Sequence, residues 1–543
     1  MVVLGMSLER SRLAARRIHE LRQGGSRARS PQLADNRKRG APAEAKLAAL
    51  AGPPLRPTQW LLMTQALASR STIHTFALGV LSVVLGVLAA RHPNYAVAFA
   101  ALGVITLLAF LMPVTHVTIL IALTTIVPYS VADTYHLGGS GTGGGGIQVS
   151  DVFLLTGLLR AALVLPHLRL TRRQLTVVGL VVVSCLWTLY EAYVGLRAGQ
   201  PLPEVGAEFR SLAGGFAFAL IAVALLADRG AHRRMMTTLI PLGLALGIFG
   251  IAQWILGYGV RAGVDLTTSG TGQLQGGLYA FPVVIVIAAA VLASRSLTTW
   301  RQRGPVVAVL ALNVLSLLLT FERTFWVATG VAVLVVVMRA GRHRRGRALV
   351  TIAITTVVGV FALGALAPST LVTAEQRLTS IGQYLTDNSV RYRTVESQFV
   401  LAKIRAKPLQ GWGLGDTIYW AQPWEHNGPP IEQSYTHVGY LWLFWREGLL
   451  GSAVLLLLLG LSALWPGRLR GGGTASAVKS GCQGAVLALA IANFTFPVFQ
   501  QGSQITYVMG FLIAYCALPA FPRRALALDE TPARSGTPQV LPT

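Results

Sequence analysis

The apolar residues of this chain come in long blocks separated by short polar connections. Fourteen blocks can be traced, at about 74–90, 94–111, 114–129, 151–167, 175–195, 211–227, 236–256, 277–294, 304–321, 324–338, 348–366, 438–465, 480–498 and 504–520. A helix needs about 20 largely apolar residues to cross the hydrocarbon core of a bilayer. The pattern therefore predicts an all-α polytopic membrane protein with about 14 transmembrane helices, bounded between 12 and 14. The narrowest joint lies between the second and third blocks, where Met112-Pro113 supplies only a very short turn.

Composition supports the pattern. Of 543 residues, 53% are hydrophobic and 12% charged, with a mean hydropathy of +0.56. A soluble globular domain carries about 25% charged residues, so an ordinary soluble enzyme is excluded. The net charge of +25 would suggest nucleic acid on a soluble chain. In a membrane protein, cytoplasmic loops collect Lys and Arg, and the connections 168–173, 228–234, 295–303, 339–347 and 468–479 are all basic. Together with the two tails they hold 33 of the 46 basic residues, while 13 of the 21 acids fall in or beside the other connections. The ladder thus places both termini in the cytoplasm, and removing one middle span would force basic clusters across the membrane.

Domain organisation follows from the same pass. Residues 1–73 hold thirteen basic residues against four acids among Gly, Pro, Ser and Ala, which predicts a disordered cytoplasmic tail attracted to anionic lipid. Interleaved aromatics are missing there, so nucleic acid is not the expected partner. No apolar core lies near Met1, so the first span is expected to remain as an anchor. A membrane domain of about 11 helices spans 74–366, a large extracytoplasmic loop 367–436, C-terminal membrane helices 437–520 and a cytoplasmic tail 521–543. Another outside connection, 129–150, contains the glycine-rich run 138–146, a flexible segment with no chemistry of its own. Cys185, Cys482 and Cys516 lie in apolar runs without Cys-x-x-Cys spacing, so neither a disulfide framework nor a zinc site is expected.

Candidate chemistry gathers at the outside ends of the spans. Arg323 occupies the tight connection Thr320-Phe321-Glu322-Arg323-Thr324, and Arg210 the outer start of the sixth block. A guanidinium near hydrocarbon is costly unless an anion meets it. Each either pairs with a carboxylate or lipid phosphate, or serves with the other as a diphosphate clamp, for which the planar five-donor fork is suited. His437 closes the large loop and opens a membrane helix, where it is either structural or a base near neutral pH. Arg160 lies well inside its block and is expected to snorkel toward Arg169. Trp412, Trp420 and Trp424 either stack on sugars or pack at the membrane surface. No Asp-x-Asp pair occurs, so the carboxylates that commonly hold a metal in nucleotide-sugar transferases are missing.

Arg393, the run Pro408-Leu409-Gln410-Gly411-Trp412-Gly413-Leu414-Gly415, His437 with its helix, and Glu447-Gly448-Leu449-Leu450-Gly451 together resemble the C-terminal signature of the O-antigen ligase and polymerase superfamily. Arg393 stands 15 residues before Pro408, and His437 stands 11 before Gly448. Arg323-Thr324-Phe325-Trp326 extends the resemblance upstream, so that it covers about 320–452. The family usually has Asn after the His where this chain has Val438, which leaves the orienting hydrogen bond of His437 unassigned. The resemblance implies a GT-C-like, metal-independent inverting glycosyltransferase without cofactor in the cytoplasmic membrane. It would transfer a glycan from an undecaprenyl diphosphate to an acceptor hydroxyl on a glycan or glycolipid at the outer face. In that scheme His437 is catalytic, Arg210 and Arg323 hold the diphosphate, and apolar grooves take the polyprenyl tail. Arg393 either binds donor phosphate or glycan or ties the loop to Glu396 or another carboxylate.

A transporter or lipid-linked glycan flippase is the alternative, and it predicts repeats, broken helices or ionisable residues near the bilayer midplane. No convincing repeat is found, and apart from Arg160 and the pair Arg446 and Glu447 the blocks are nearly free of charge. A non-catalytic scaffold of an envelope complex is a further rival, under which His437 and Arg323 would tolerate change.

Overall fold

The computed structural model describes residues 96–126, 148–257, 260–262, 272–274, 277–294, 297, 299–379, 388–420, 430–464, 473–499 and 502–519. All fall within one compact unit, Tyr95–Thr543. The basic tail 1–73, the first apolar block, the glycine run 138–146, Trp424 and the tail 521–543 lie outside the described residues.

Every one of the other thirteen apolar blocks is a helix. They are α1 (Ala96–Leu111), α2 (Pro113–Thr125), α3 (Val149–Val164), α4 (Arg172–Arg197), α5 (Leu202–Leu226), α6 (Arg229–Leu256), α7 (Ala280–Leu292), α8 (Trp300–Leu318), α9 (Arg323–Met338), α10 (Arg342–Leu366), α13 (Gly439–Leu464), α14 (Thr474–Ala492) and α15 (Gly502–Ala517). The helices α11 (Pro368–Thr379) and α12 (Asn388–Ala406) belong to the large loop. So does the antiparallel pair β3 (Ile418–Trp420) and β4 (Ile431–Gln433), which the sequence pattern does not reveal. A second pair, β1 (Val260–Ala262) and β2 (Gly272–Leu274), follows α6. Among the described residues, seven helices are long and apolar enough to cross a membrane, and five more are shorter apolar helices. The chain is thus a mostly helical, multi-pass membrane protein.

Several helices begin well before their apolar blocks. Thr171 caps α4, accepting from Gln174 N–H, and Asp228 caps α6, accepting from Ala231 N–H. Caps of this kind satisfy orphan N–H groups and let a basic, polar first turn join the helix. Arg210 is displaced too: α5 starts at Leu202, after Pro201, so Arg210 sits inside the helix rather than at its start. Besides Arg160, Arg446 and Glu447, the apolar helices also hold Glu191, Glu208 and Lys479, so they carry more charge than the sequence suggests. Arg160 does not reach toward Arg169. Its guanidinium donates to the carbonyls of Ala109 and Leu111 at the C-terminal end of α1, beside the Met112 turn, and lies over the Phe110 ring.

A close crossing joins α5 and α15. A Cβ at Gly510 would stand 2.1 Å from Gly215 O, so two backbones touch there. Between membrane helices, where lipid removes most of the hydrophobic drive, close approach through small residues supplies the packing energy. This crossing sets the position of the N-terminal turns of α5 and of the 493–499 linker that joins α14 to α15.

Candidate functional site

The break in α13 organises the site. Gly448 has φ 59° and ψ −171°, which interrupts the helix inside an apolar stretch and strands the backbone groups on either side. The Pro408–Gly415 run fills that gap. Trp412 N–H donates to Trp445 O (3.0 Å) and Gly413 N–H to Arg446 O (3.2 Å), while Leu449 N–H donates to Pro408 O (2.8 Å) and Leu450 N–H to Leu409 O (3.2 Å). The approach is so close that a Cβ at Gly411 would stand 2.2 Å from Arg446 O. Two motifs some 40 residues apart in sequence are therefore one structure. The glycines of the first let backbone meet backbone, and the glycine of the second opens the helix to receive it.

A buried ionic network ties this junction to the bundle. Arg446, fully buried, donates to Glu208 Oε1 of α5 (2.6 Å), to Ser434 O (2.5 Å) and to Asp416 O. Glu208 also accepts Gly415 N–H (2.7 Å). Asp416 accepts from Lys403 Nζ (2.8 Å) and Trp445 Nε1 (2.8 Å). Two cations and two anions thus balance, which is what keeps buried charge tolerable. Of the tryptophans, Trp412 lies against Lys403 and Lys407 and donates to Lys403 O, and Trp420 is buried and donates to Gln433, so these two pack rather than present open faces.

His437 stands two residues before α13, half-buried, at the edge of this junction. Its Nδ1 is 3.2 Å from both carboxylate oxygens of Glu396 on α12, and its backbone N–H donates to Glu396 Oε2 (3.0 Å). Thr436 Oγ1 donates to the same oxygen (3.1 Å), and Gln433 Nε2 donates to Oε1. Glu396 is completely buried. The rings of Tyr392 and Tyr435 stand edge-on to the imidazole, with centroids 5.5 and 5.4 Å away. Burial, with the Tyr435 hydroxyl and the Glu396 carboxylate nearby, pushes the Tyr392 hydroxyl up to about 12, so it stays a donor, to Gln433 Oε1 (3.3 Å). The sequence places Glu396 only as a possible partner of Arg393. Nothing in the spacing joins it to His437, 41 residues on.

The arginines are held differently. Arg393 precedes Glu396 by three residues on α12 and so lies one turn away along the same helix. Arg210 Nε is 3.5 Å from Asp151 Oδ2 in the first turn of α3. Arg323 is the first residue of α9, after a turn in which Phe321 takes φ 52°. A non-glycine residue held there signals local strain, of a kind that recurs at functional sites. A cation in the first turn also adds to the positive end of the helix dipole, which favours an incoming anion.

What connects these scattered residues is the linker 493–499. Gly439 N–H, two residues from His437, donates to Asn493 O (3.0 Å). Thr324, next to Arg323, has its Oγ1 2.7 Å from Thr495 Oγ1, and Ser211, next to Arg210, donates to Phe499 O (3.4 Å). Phe325 and Phe496 further pin α9 to the linker, with ring centroids 5.2 Å apart. Sequence reasoning missed the linker because it reads as an ordinary apolar helix end.

Fold and site together define a multi-pass membrane protein whose polar site is built where one large loop meets the helices. Residues 306–460 match the family model described as O-Antigen ligase. That stretch holds Arg323, Arg393, Glu396, His437 and both glycine motifs, and over it the chain is similar to the O-antigen ligase family. Arg210 and the 493–499 linker lie outside the matched residues. A comparison with curated proteins finds no match.

Proposed function

We propose that the chain is a glycosyltransferase of GT-C-like architecture, with about 14 spans, in the cytoplasmic membrane. Its termini are cytoplasmic and its site extracytoplasmic. It moves a glycan from a polyprenyl diphosphate to an acceptor hydroxyl, with inversion and without metal. The observation that carries the reading is the convergence of the helices bearing Arg210 and Arg323, and of the helix that follows His437, on one short linker.

The chemistry then divides simply. The acceptor oxygen attacks the anomeric carbon as the bond to the diphosphate oxygen breaks and that oxygen leaves with the electron pair. Arg323 and Arg210 meet the charge that grows on the diphosphate, a fixed electrostatic stabilisation of the transition state. His437 accepts the proton released by the acceptor hydroxyl. Arg393, beside Glu396, faces the glycan or its phosphate. Apolar grooves between the helices would receive the polyprenyl tail.

The transporter or flippase alternative draws on the broken α13 and its buried charges. Against it, the stranded backbone groups at the break are taken up by the Pro408–Gly415 run, and Arg446 is paired, so no open ion path is left at that point. The test is the glycan profile of cells carrying His437→Ala or Arg323→Ala. Loss of transferred glycan with normal membrane insertion is expected, and wild-type products from both variants would refute the catalytic reading.

A further inference from the structure

Glu396 has no more room for a proton of its own. Its two oxygens accept from Gln433 Nε2, Thr436 Oγ1 and the His437 backbone N–H, and both also face His437 Nδ1 at 3.2 Å. Gln433 cannot reverse this arrangement, because its own carbonyl accepts from Tyr392 and Trp420 and its amide also donates to Tyr435 O. With every other neighbour a donor, the carboxylate is an acceptor, and Nδ1 must be the ring nitrogen that carries hydrogen. Nε2 makes no hydrogen bond among the described residues, and the side chain keeps 30% of its surface exposed.

We infer that Glu396 is a positioning residue that holds the proton of His437 on Nδ1 and leaves the Nε2 lone pair facing the acceptor. The inference rests on the glycosyl-transfer reading above and extends it. When Nε2 takes the acceptor's proton, the ring becomes a cation with the buried carboxylate already 3.2 Å away, and no group has to move. The neutral Val438 then costs nothing, since the orienting bond comes from α12 and not from the neighbouring residue. Among the described residues, the titratable groups facing the ring are Glu396 and Tyr392 from α12 and Tyr435 from its own segment.

Two measurements test it on the full-length protein in proteoliposomes. The first is a solid-state ¹⁵N spectrum of histidine-labelled protein, with the His437 signals assigned by their absence in His437→Ala. A neutral ring protonated on Nδ1 is expected, and protonation on Nε2 overturns the inference without needing any Glu396 variant to fold. The second is transfer from a short polyprenyl-diphosphate oligosaccharide by Glu396→Gln. We expect kcat to fall about 10²-fold or more while KM for the donor stays within about twofold, with Glu396→Asp recovering part of the loss. Unchanged kcat, or a loss confined to KM, overturns it. If His437→Ala itself transfers normally, the catalytic reading of His437 fails; if His437→Ala is inactive and Glu396→Gln is normal, only the role of Glu396 fails.

Discussion

Substituting Gly448 by alanine tests whether the break in α13 and the Pro408–Gly415 run are one unit. At φ 59° and ψ −171° an L-residue is held where its backbone seldom goes, at a cost of about 1–3 kcal/mol. The new Cβ would also stand 2.3 Å from Leu409 O and 2.5 Å from Gly411 N, distances that only a shift of backbone can relieve. Such a shift endangers the four hydrogen bonds that cross the break, each worth about 0.5–1.5 kcal/mol net. With half of them lost, Gly448→Ala should destabilise by about 2–6 kcal/mol. Urea or thermal unfolding of the purified protein in detergent would read this directly. Gly460 lies in the same helix with nothing within 4 Å of its Cβ position, so Gly460→Ala is the control. It should be neutral or stabilising by up to about 1 kcal/mol. A Gly448→Ala variant within about 0.5 kcal/mol of wild type, below the cost of a single strained residue, would refute the coupling.

Other outcomes follow from the same contacts. Arg446→Met leaves Glu208 buried without its partner and should cost about 3–5 kcal/mol, measured by unfolding; a smaller loss from the double variant with Glu208→Gln would confirm that the penalty lies in the stranded charge. Glu191 is fully buried on α4 with neither carboxylate oxygen hydrogen-bonded among the described residues, so Glu191→Met should raise the thermal midpoint rather than lower it. The Arg210–Asp151 pair is about a quarter exposed and contributes under about 1 kcal/mol, and Asp151 also accepts Gln148 N–H at the start of α3 (2.9 Å), a bond that Asn can keep, so Asp151→Asn should cost no more than about 1 kcal/mol, whereas Arg323→Lys should cut transfer because an ammonium cannot reproduce the bidentate phosphate contact. Full transfer by Arg323→Lys would reduce that residue to a point charge.

Much of the architecture is legible without coordinates, because hydrocarbon leaves a chain few choices. Backbone groups in lipid must be satisfied within the segment, so each apolar block has to be a helix, and the blocks announce themselves by composition alone. The large loop, His437 and the two glycine motifs are likewise visible, since polar residues and glycines stand out against an apolar background. Helix starts are less so, because Arg172, Arg229 and Arg342 join their helices through polar turns that hydropathy counts as connection.

What no one-dimensional pattern carries is pairing across distance. Glu396 meets His437 because α12 lies beside the start of α13, and Glu208 meets Arg446 because α5 does. Arg210, two residues after Glu208 and so on nearly the opposite face of α5, turns to Asp151 instead. Tertiary packing also decides that the 493–499 linker, unremarked as sequence, touches the neighbours of three candidate residues at once. Sequence by itself determined which segments enter the membrane and which residue types could do chemistry. Only the packing of those segments decided which carboxylate holds which cation, since the side chains that complete each pair come from helices whose order along the chain says nothing of their contact.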